Sequence, residues 1–231
     1  MASLLLRLVG PMQSWGTRSR FSDRDTERFP SKSGILGLVC AALGWPRAAE
    51  RFEEWSMADL ALLTLAVRED RPGRPATDYH TTLDVPSADA PSLRDIPASK
   101  RRTIPSHRHY LADAAFLAGL EGDRALLARL DRALRQPVWP IYLGRKGFVP
   151  GLPVCLPDGL TDAPLQERLQ QYAWLGDGPR RQPAVVWVER ETATGQPRWD
   201  VPLGAFATRR FGLRWVSHET VSLAGGQEAL A

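Results

Sequence analysis

A chain of 231 residues, 43% hydrophobic and 24% charged, is large enough for a real core and excludes a disordered or fibrous protein. Its 30 basic residues outnumber 26 acids, giving +4, and only Lys32, Lys100 and Lys146 are lysines; arginine suits a polyanion partner, although an arginine-rich codon usage accounts for the same bias. Two cysteines (Cys40, Cys155) exclude a disulfide framework, the N-terminal run is too short for a signal peptide and no apolar run spans a bilayer, so no membrane partner and a cytoplasmic location are expected.

The stretch "SLLLRLVG" (3–10), apolar apart from Arg7, predicts a strand. "SKSGILGLVCAALGW" predicts a helix: Ile35, Leu38, Val39, Ala42 and Leu43 recur at helical spacing, and Pro46 ends it. A further helical piece is expected over 47–58 and a strand over 60–69. Residues 70–107 lack a regular period and form a long insert, in which "DYHTTLDV" (78–85) and "RRTIPSHR" (101–108) suit the two arms of a hairpin. "HYLADAAFLAGL" (109–120) predicts a strand.

"DRALLARLDRALRQP" (123–137) is an amphipathic helix with Asp123 as N-cap and Pro137 as its end. "VWPIYLG" (138–144) predicts a strand. The resulting β-α-β-β-α-β order is the ferredoxin-like pattern of an α+β fold, shared by many RNA-binding modules and many unrelated proteins. The Gly- and Pro-rich run after Gly144 marks a boundary, dividing the chain into 1–150, with its insert at about 70–108, and a small β-rich unit at 151–231.

Four stretches carry candidate chemistry. In "PSKSGILGL", Ser31 and Ser33 can cap the helix, its free N–H groups suit an anion, and Lys32 adds charge; the plain alternative is a cap with a solvated lysine. The glycines of a nucleotide P-loop are missing. In "GPMQSWGTRSRFSDRDTERFP" (10–30), Gln13, Ser14 and Trp15 stand beside Arg18, Arg20, Arg24 and Arg28, a mixture that can track a nucleic-acid backbone and stack a base. Asp23, Asp25 and Glu27 are there to pair with the same arginines. The insert's end carries Lys100, Arg101, Arg102 and Arg108 with His107 and His109, and no acid between Asp95 and Asp113. "YLGRKGFVPGLP" sets Arg145 and Lys146 between glycines, either a phosphate loop or a tight turn.

No zinc-ligand spacing and no nucleophile elbow occur, so neither a metal nor a cofactor is expected. Metal-free RNA cleavage would draw on Tyr79, His80, Lys100, His107 and His109, which have the right chemistry within one insert.

"LLLRLVGPMQSWGTRSRF", the spacing R-x-T-x-x-x-P-S-K-S-G-I-L-G-L, "HRHYLADAAFLAGLEG" and "PVWPIYLGRK" together resemble the CasD family, the type I-E Cascade subunit of the RAMP superfamily. The resemblance runs in order from residue 4 to about 155 and more loosely through "TRRFGLRWV". It implies a ferredoxin-like RNA-binding domain whose insert is a thumb hairpin. The subunit would cap one end of the complex and hold the 5′ handle of the CRISPR RNA (crRNA), serving antiviral DNA targeting. Its partners would be the Cascade backbone subunit, the large subunit and, indirectly, target DNA. A separate endonuclease cuts the precursor in this subtype, so the resemblance implies no catalysis; relatives in type I-C do cut precursor RNA, which keeps cleavage as the alternative. The resemblance places Ser31, Lys32 and Ser33 in the family's helix-start motif and Arg145 and Lys146 in its glycine-flanked loop.

Overall fold

The computed structural model describes residues 1–18, 22–86, 101–176 and 185–223. Strand β1 (Ala2–Val9) lies inside the main sheet with both faces covered, which is why it reads as continuous apolar sequence rather than as an alternation. Leu4, Leu6 and Leu8 enter the larger core, while Leu5 enters a second core on the other face. Short strands β2 (Met12–Gln13) and β3 (Asp23–Arg24) precede helix α1 (Lys32–Leu43). Gly44 closes α1 in the left-handed conformation at φ 74°, as a C-terminal glycine does without steric cost.

The expected helix over 47–58 is instead a hairpin of β4 (Arg51–Phe52) and β5 (Trp55–Ser56), followed by helix α2 (Met57–Leu62). A capping box sets the start of α2: the Asp59 amide donates to Ser56 Oγ at 3.3 Å, and the Ser56 amide donates to Asp59 Oδ2 at 2.7 Å. Strand β6 (Thr64–Arg71) therefore begins four residues later than the expected start at 60.

Strands β7 (Arg74–Pro86) and β8 (Arg101–Ala112) pair antiparallel, from Arg74 opposite Ala112 to Pro86 opposite Arg101. Most of β7 is exposed, so the pair stands out from the body as an arm. Its base is held by β2, antiparallel to β8, and by β3, parallel to it. The expected strand over 109–120 is split at Asp113, whose φ of 58° turns the chain from β8 into β9 (Ala115–Gly122).

Helix α3 (Arg124–Arg135) starts at Asp123, whose carboxylate accepts the Leu126 amide at 2.7 Å. It buries Leu126, Leu127, Leu130, Ala133 and Leu134, the stripe read from the sequence. Residues 138–144 form no strand. Pro137 and Pro140 cannot donate to a ladder, and the Val138 and Trp139 amides instead donate to the Ala42 and Ala41 carbonyls at the end of α1. The strand that follows α3 is β10 (Cys155–Thr161), antiparallel to β1.

Helix α4 (Leu165–Gln171) and strands β11 (Val185–Thr192), β12 (Gln196–Pro202) and β13 (Phe211–Ser222) complete the chain, with a short 3-10 turn at Phe206–Thr208 before β13. One seven-stranded sheet runs β10-β1-β9-β6-β11-β13-β12. It is continuous across the expected boundary at 150, since β11 bonds β6. Helices α1 and α3 cover the face carrying Leu4, Leu6, Phe116 and Leu120. Helix α4 covers the other, packing Leu165 and Leu169 on Leu5, Leu117 and Val188.

Candidate nucleic-acid interface

The start of α1 is already occupied by anions from within the protein. Ser31 caps it, its Oγ accepting the Gly34 amide at 3.3 Å. The Lys32 amide donates to Asp200 Oδ2 at 2.8 Å, so a carboxylate from β12 sits where a helix start favours negative charge. Arg214 holds that carboxylate with Nε at 2.6 Å and Nη2 at 2.9 Å. Lys32 is 2% exposed and its ammonium lies 3.0 Å from Glu191. Burial pulls its pKa below the ordinary lysine value, partly offset by Glu191. Lys32, expected to contact RNA, is therefore an internal ion-pair partner.

Gln13 and Trp15 require the same correction, both being fully buried. Gln13 Nε2 donates to the Leu8 and Ala114 carbonyls at 2.9 and 2.8 Å, and its Oε1 accepts Trp15 Nε1–H at 3.2 Å. Trp15 is the seat of α1: a Cβ at Gly34 would stand 2.8 Å from its ring. At 0% exposure, Trp15 offers no free face on which to stack a base.

Of the acids between β2 and α1, Glu27 meets Arg18 at 3.3 Å as their proximity suggests. Arg28 instead forms a two-pronged pair with Glu69 of β6 at 2.6 and 2.7 Å. Arg24 is exposed. Arg20 and Lys100 lie outside the described residues.

The glycine-flanked loop divides its two cations. Gly144 has φ +93° and packs so tightly that a Cβ would overlap the Ser14 carbonyl oxygen; the glycine serves backbone-on-backbone packing. Arg145 turns inward, Nη2 donating to the Arg24 and His109 carbonyls at 3.0 and 2.9 Å with its guanidinium 5.4 Å from the Phe148 ring centre. Burial, reinforced by the nearby Arg108 charge, lowers its pKa. Lys146 is exposed.

A groove of about 770 Å³ runs over α1. Of the expected residues its lining includes Ser14, Trp15, Arg24, Ser31, Ser33, Arg145 and Lys146, Trp15 with no exposed surface. It also gathers Arg47, Trp139, Tyr142, Phe206 and Phe211, which the sequence reading assigned no contact. Trp139 and Tyr142 were hidden by the expectation of a strand at 138–144, which would have carried them into a sheet. The visible clue is Pro140 between them.

Arg101, Arg102, His107 and Arg108 stand on β8 of the arm and do not line this groove, although Arg108 lies opposite the lining residue Arg24 in the β3–β8 pair. Arg101 and Arg102 are exposed, and Arg108 Nε donates to Ser106 Oγ at 3.1 Å. Of the cleavage candidates, His107 faces Tyr79 with ring centres 5.4 Å apart. His109 is engaged by Thr77 Oγ1 at 2.8 Å and lies 3.7 Å from Asp23. His80 stands opposite Ser106 in the ladder, one step from the Tyr79 and His107 pair. Among the described residues no group of His, Cys, Asp or Glu could hold a metal ion, and no helix is long and apolar enough to cross a membrane.

The family model for CRISPR-associated protein (Cas_Cas5) matches residues 3–217. The chain belongs to the CRISPR-associated Cas5 family. It is 32% identical over 160 residues to the CRISPR system Cascade subunit CasD of Escherichia coli (strain K12), a match spanning 62% of this chain and 65% of that relative. A solved structure titled "Crystal structure of Cas protein" superposes with a TM-score of 0.74 at 44% identity, covering 95% of each chain. A chain of a "CRISPR RNA-guided surveillance complex" superposes with a TM-score of 0.69 at 32% identity, covering 96% of this chain and 90% of that one. These matches bear out the CasD resemblance and agree with a mixed fold of helices and sheet.

Proposed function

We propose that this chain is a non-catalytic, RNA-binding Cascade subunit of type I-E that caps the complex and holds the 5′ handle of crRNA. The observation that carries the reading is the α1 groove, where Arg24, Arg47 and Lys146 gather beside aromatic rings on a Cas5-family chain. Cations that track phosphates and rings that stack bases are what a single-stranded nucleic-acid site needs. Strands β1, β6, β9 and β10 with α1 and α3 are read as the ferredoxin-like unit, which then runs to Thr161, and β11 to β13 as the small C-terminal unit. The arm of β7 and β8 is read as the thumb, with Arg101, Arg102, His107 and Arg108 meeting RNA or the adjacent backbone subunit. The large subunit is a further partner and the complex works in the cytoplasm.

The non-catalytic reading is supported by the likeness to a Cascade subunit; the cleavage candidates Tyr79 and His107 face each other on the arm, which makes the chelator experiment below the one that separates the two readings. The test is to assemble the complex with the double variant Lys146→Ala/Arg24→Ala and to measure nuclease protection of the crRNA 5′ end at rising salt. Protection should be lost at lower salt than in the wild type. Unchanged protection at every salt would sink the reading. Repeat RNA incubated with the purified protein in chelator should stay intact.

A further inference from the structure

The groove over α1 has a composition that charge alone does not explain. Its lining comes mainly from α1 with its cap, the stretch 14–25, which brings Asp25 as well as Arg24, and the stretch 139–146, with Phe206 and Phe211 closing one side. Trp139 is 42% exposed and is absent from the apolar cores. Its backbone is pinned to α1 through the Ala41 carbonyl, so the ring is held in place without being buried. Phe206 approaches from the other chain segment, itself anchored by the Ala207 amide on the Arg47 carbonyl at 2.9 Å.

Gly37 lies in this lining in the middle of α1. A glycine inside a helix is costly relative to alanine, so it needs a reason. Its neighbour Gly34 has one in the Trp15 ring. Gly37 has none in the fold: a Cβ there would meet Phe206 Cζ at 3.7 Å, an ordinary contact. The glycine keeps open the space beside Phe206. Cations stand toward both ends of the helix: Lys146 follows Gly144, which packs on Ser14, and Arg47 follows the helix's last turn. Twelve helical residues span about 18 Å, room for a short run of unstacked nucleotides.

We propose that this groove is a nucleobase-stacking slot. An unpaired base of single-stranded RNA lies over Gly37 against Phe206, with Trp139 in the neighbouring wall, while Lys146 and Arg47 hold the flanking phosphates. Such a slot recognises an unpaired strand by its aromatic faces and tolerates different bases, because every base has a π-face. The inference rests on the RNA-binding reading above and adds which residues form the stacking surface and which hold the phosphates on either side of it.

The test uses the full-length protein and two probes of equal charge, an octaadenylate and a fully abasic ribose–phosphate octamer, titrated across a salt series. Wild type should bind the adenylate about tenfold or more tightly than the abasic strand, the size of one lost base-stacking contact. Trp139→Ala and Gly37→Leu should each remove most of that preference while leaving abasic binding and the salt slope unchanged. Lys146→Ala should weaken both probes alike. Trp139→Ala deletes an exposed ring, so it keeps the test valid if Gly37→Leu melts early. If Trp139→Ala keeps the full adenylate preference while Lys146→Ala weakens both probes, the slot is wrong and the RNA reading stands. If wild type binds neither probe at low salt, the RNA reading falls and the slot with it.

Discussion

Residues 31–33 and 144–147 look alike as sequence: small residues and glycines around lysine or arginine, at positions suited to a phosphate. The folded chain treats them in opposite ways. At the first, Asp200 takes the helix amide and Glu191 takes the lysine, so both groups are spent on the protein's own carboxylates. At the second, Arg145 turns inward onto two carbonyls while Lys146 remains exposed beside the groove. A cation is available to a ligand only if no acid from elsewhere in the chain has reached it first. Asp200 comes from 168 residues away, a distance no local motif reports.

Asp200→Ala should break the first site most severely. It would leave Arg214 buried without its main partner and the Lys32 amide without its acceptor, for about 3–5 kcal/mol lost in chemical denaturation. Gly144→Ala should break the second site nearly as hard. The new Cβ must displace the Ser14 backbone, and residue 144 must keep a positive φ that alanine disfavours, at roughly 3 kcal/mol by the same measurement.

The ion network beside the first site adds a pH signature. Burial pushes the Glu189 carboxyl up, but His218, Arg198 and Arg214 outweigh it and hold the group below its ordinary 4.5. A depressed carboxylate contributes stability that is full above 4.5 and is lost as pH falls through the folded-state value. Stability measured from pH 6 downward should therefore drop below about pH 4.5, and Glu189→Gln should flatten that part of the profile. Persistence of the same drop in the variant would assign the acid sensitivity elsewhere.

Lys146→Ala is the smallest change for the fold and the sharpest for the comparison. Stability should stay within about 0.5 kcal/mol of wild type. The slope of log affinity for single-stranded RNA against log salt should fall by about 0.7, the loss of one phosphate contact.

The elements with self-contained signals were legible. Helix α3 announces its cap, its stripe and its proline stop within 15 residues, and α1 likewise. The misread elements depended on partners. Residues 138–144 have the apolar character of a strand, but their amides are claimed by the end of α1. The same event decided the candidate interface, because it left Trp139 and Tyr142 beside the groove rather than inside a sheet. Trp15 shows the reverse: a tryptophan among arginines reads as a stacking platform, yet Gly34 lets α1 sit on it.

The sequence by itself determined the alternation of apolar elements, the helix caps, the basic surplus and the motif run that marks the Cas5 family. These depend on residues close together along the chain, where spacing and side-chain chemistry suffice. Only the tertiary structure decided which cations and rings remain available. That outcome depends on long-range competition: carboxylates from β11 and β12 neutralise the start of α1, and the backbone at its end holds Trp139 in the open.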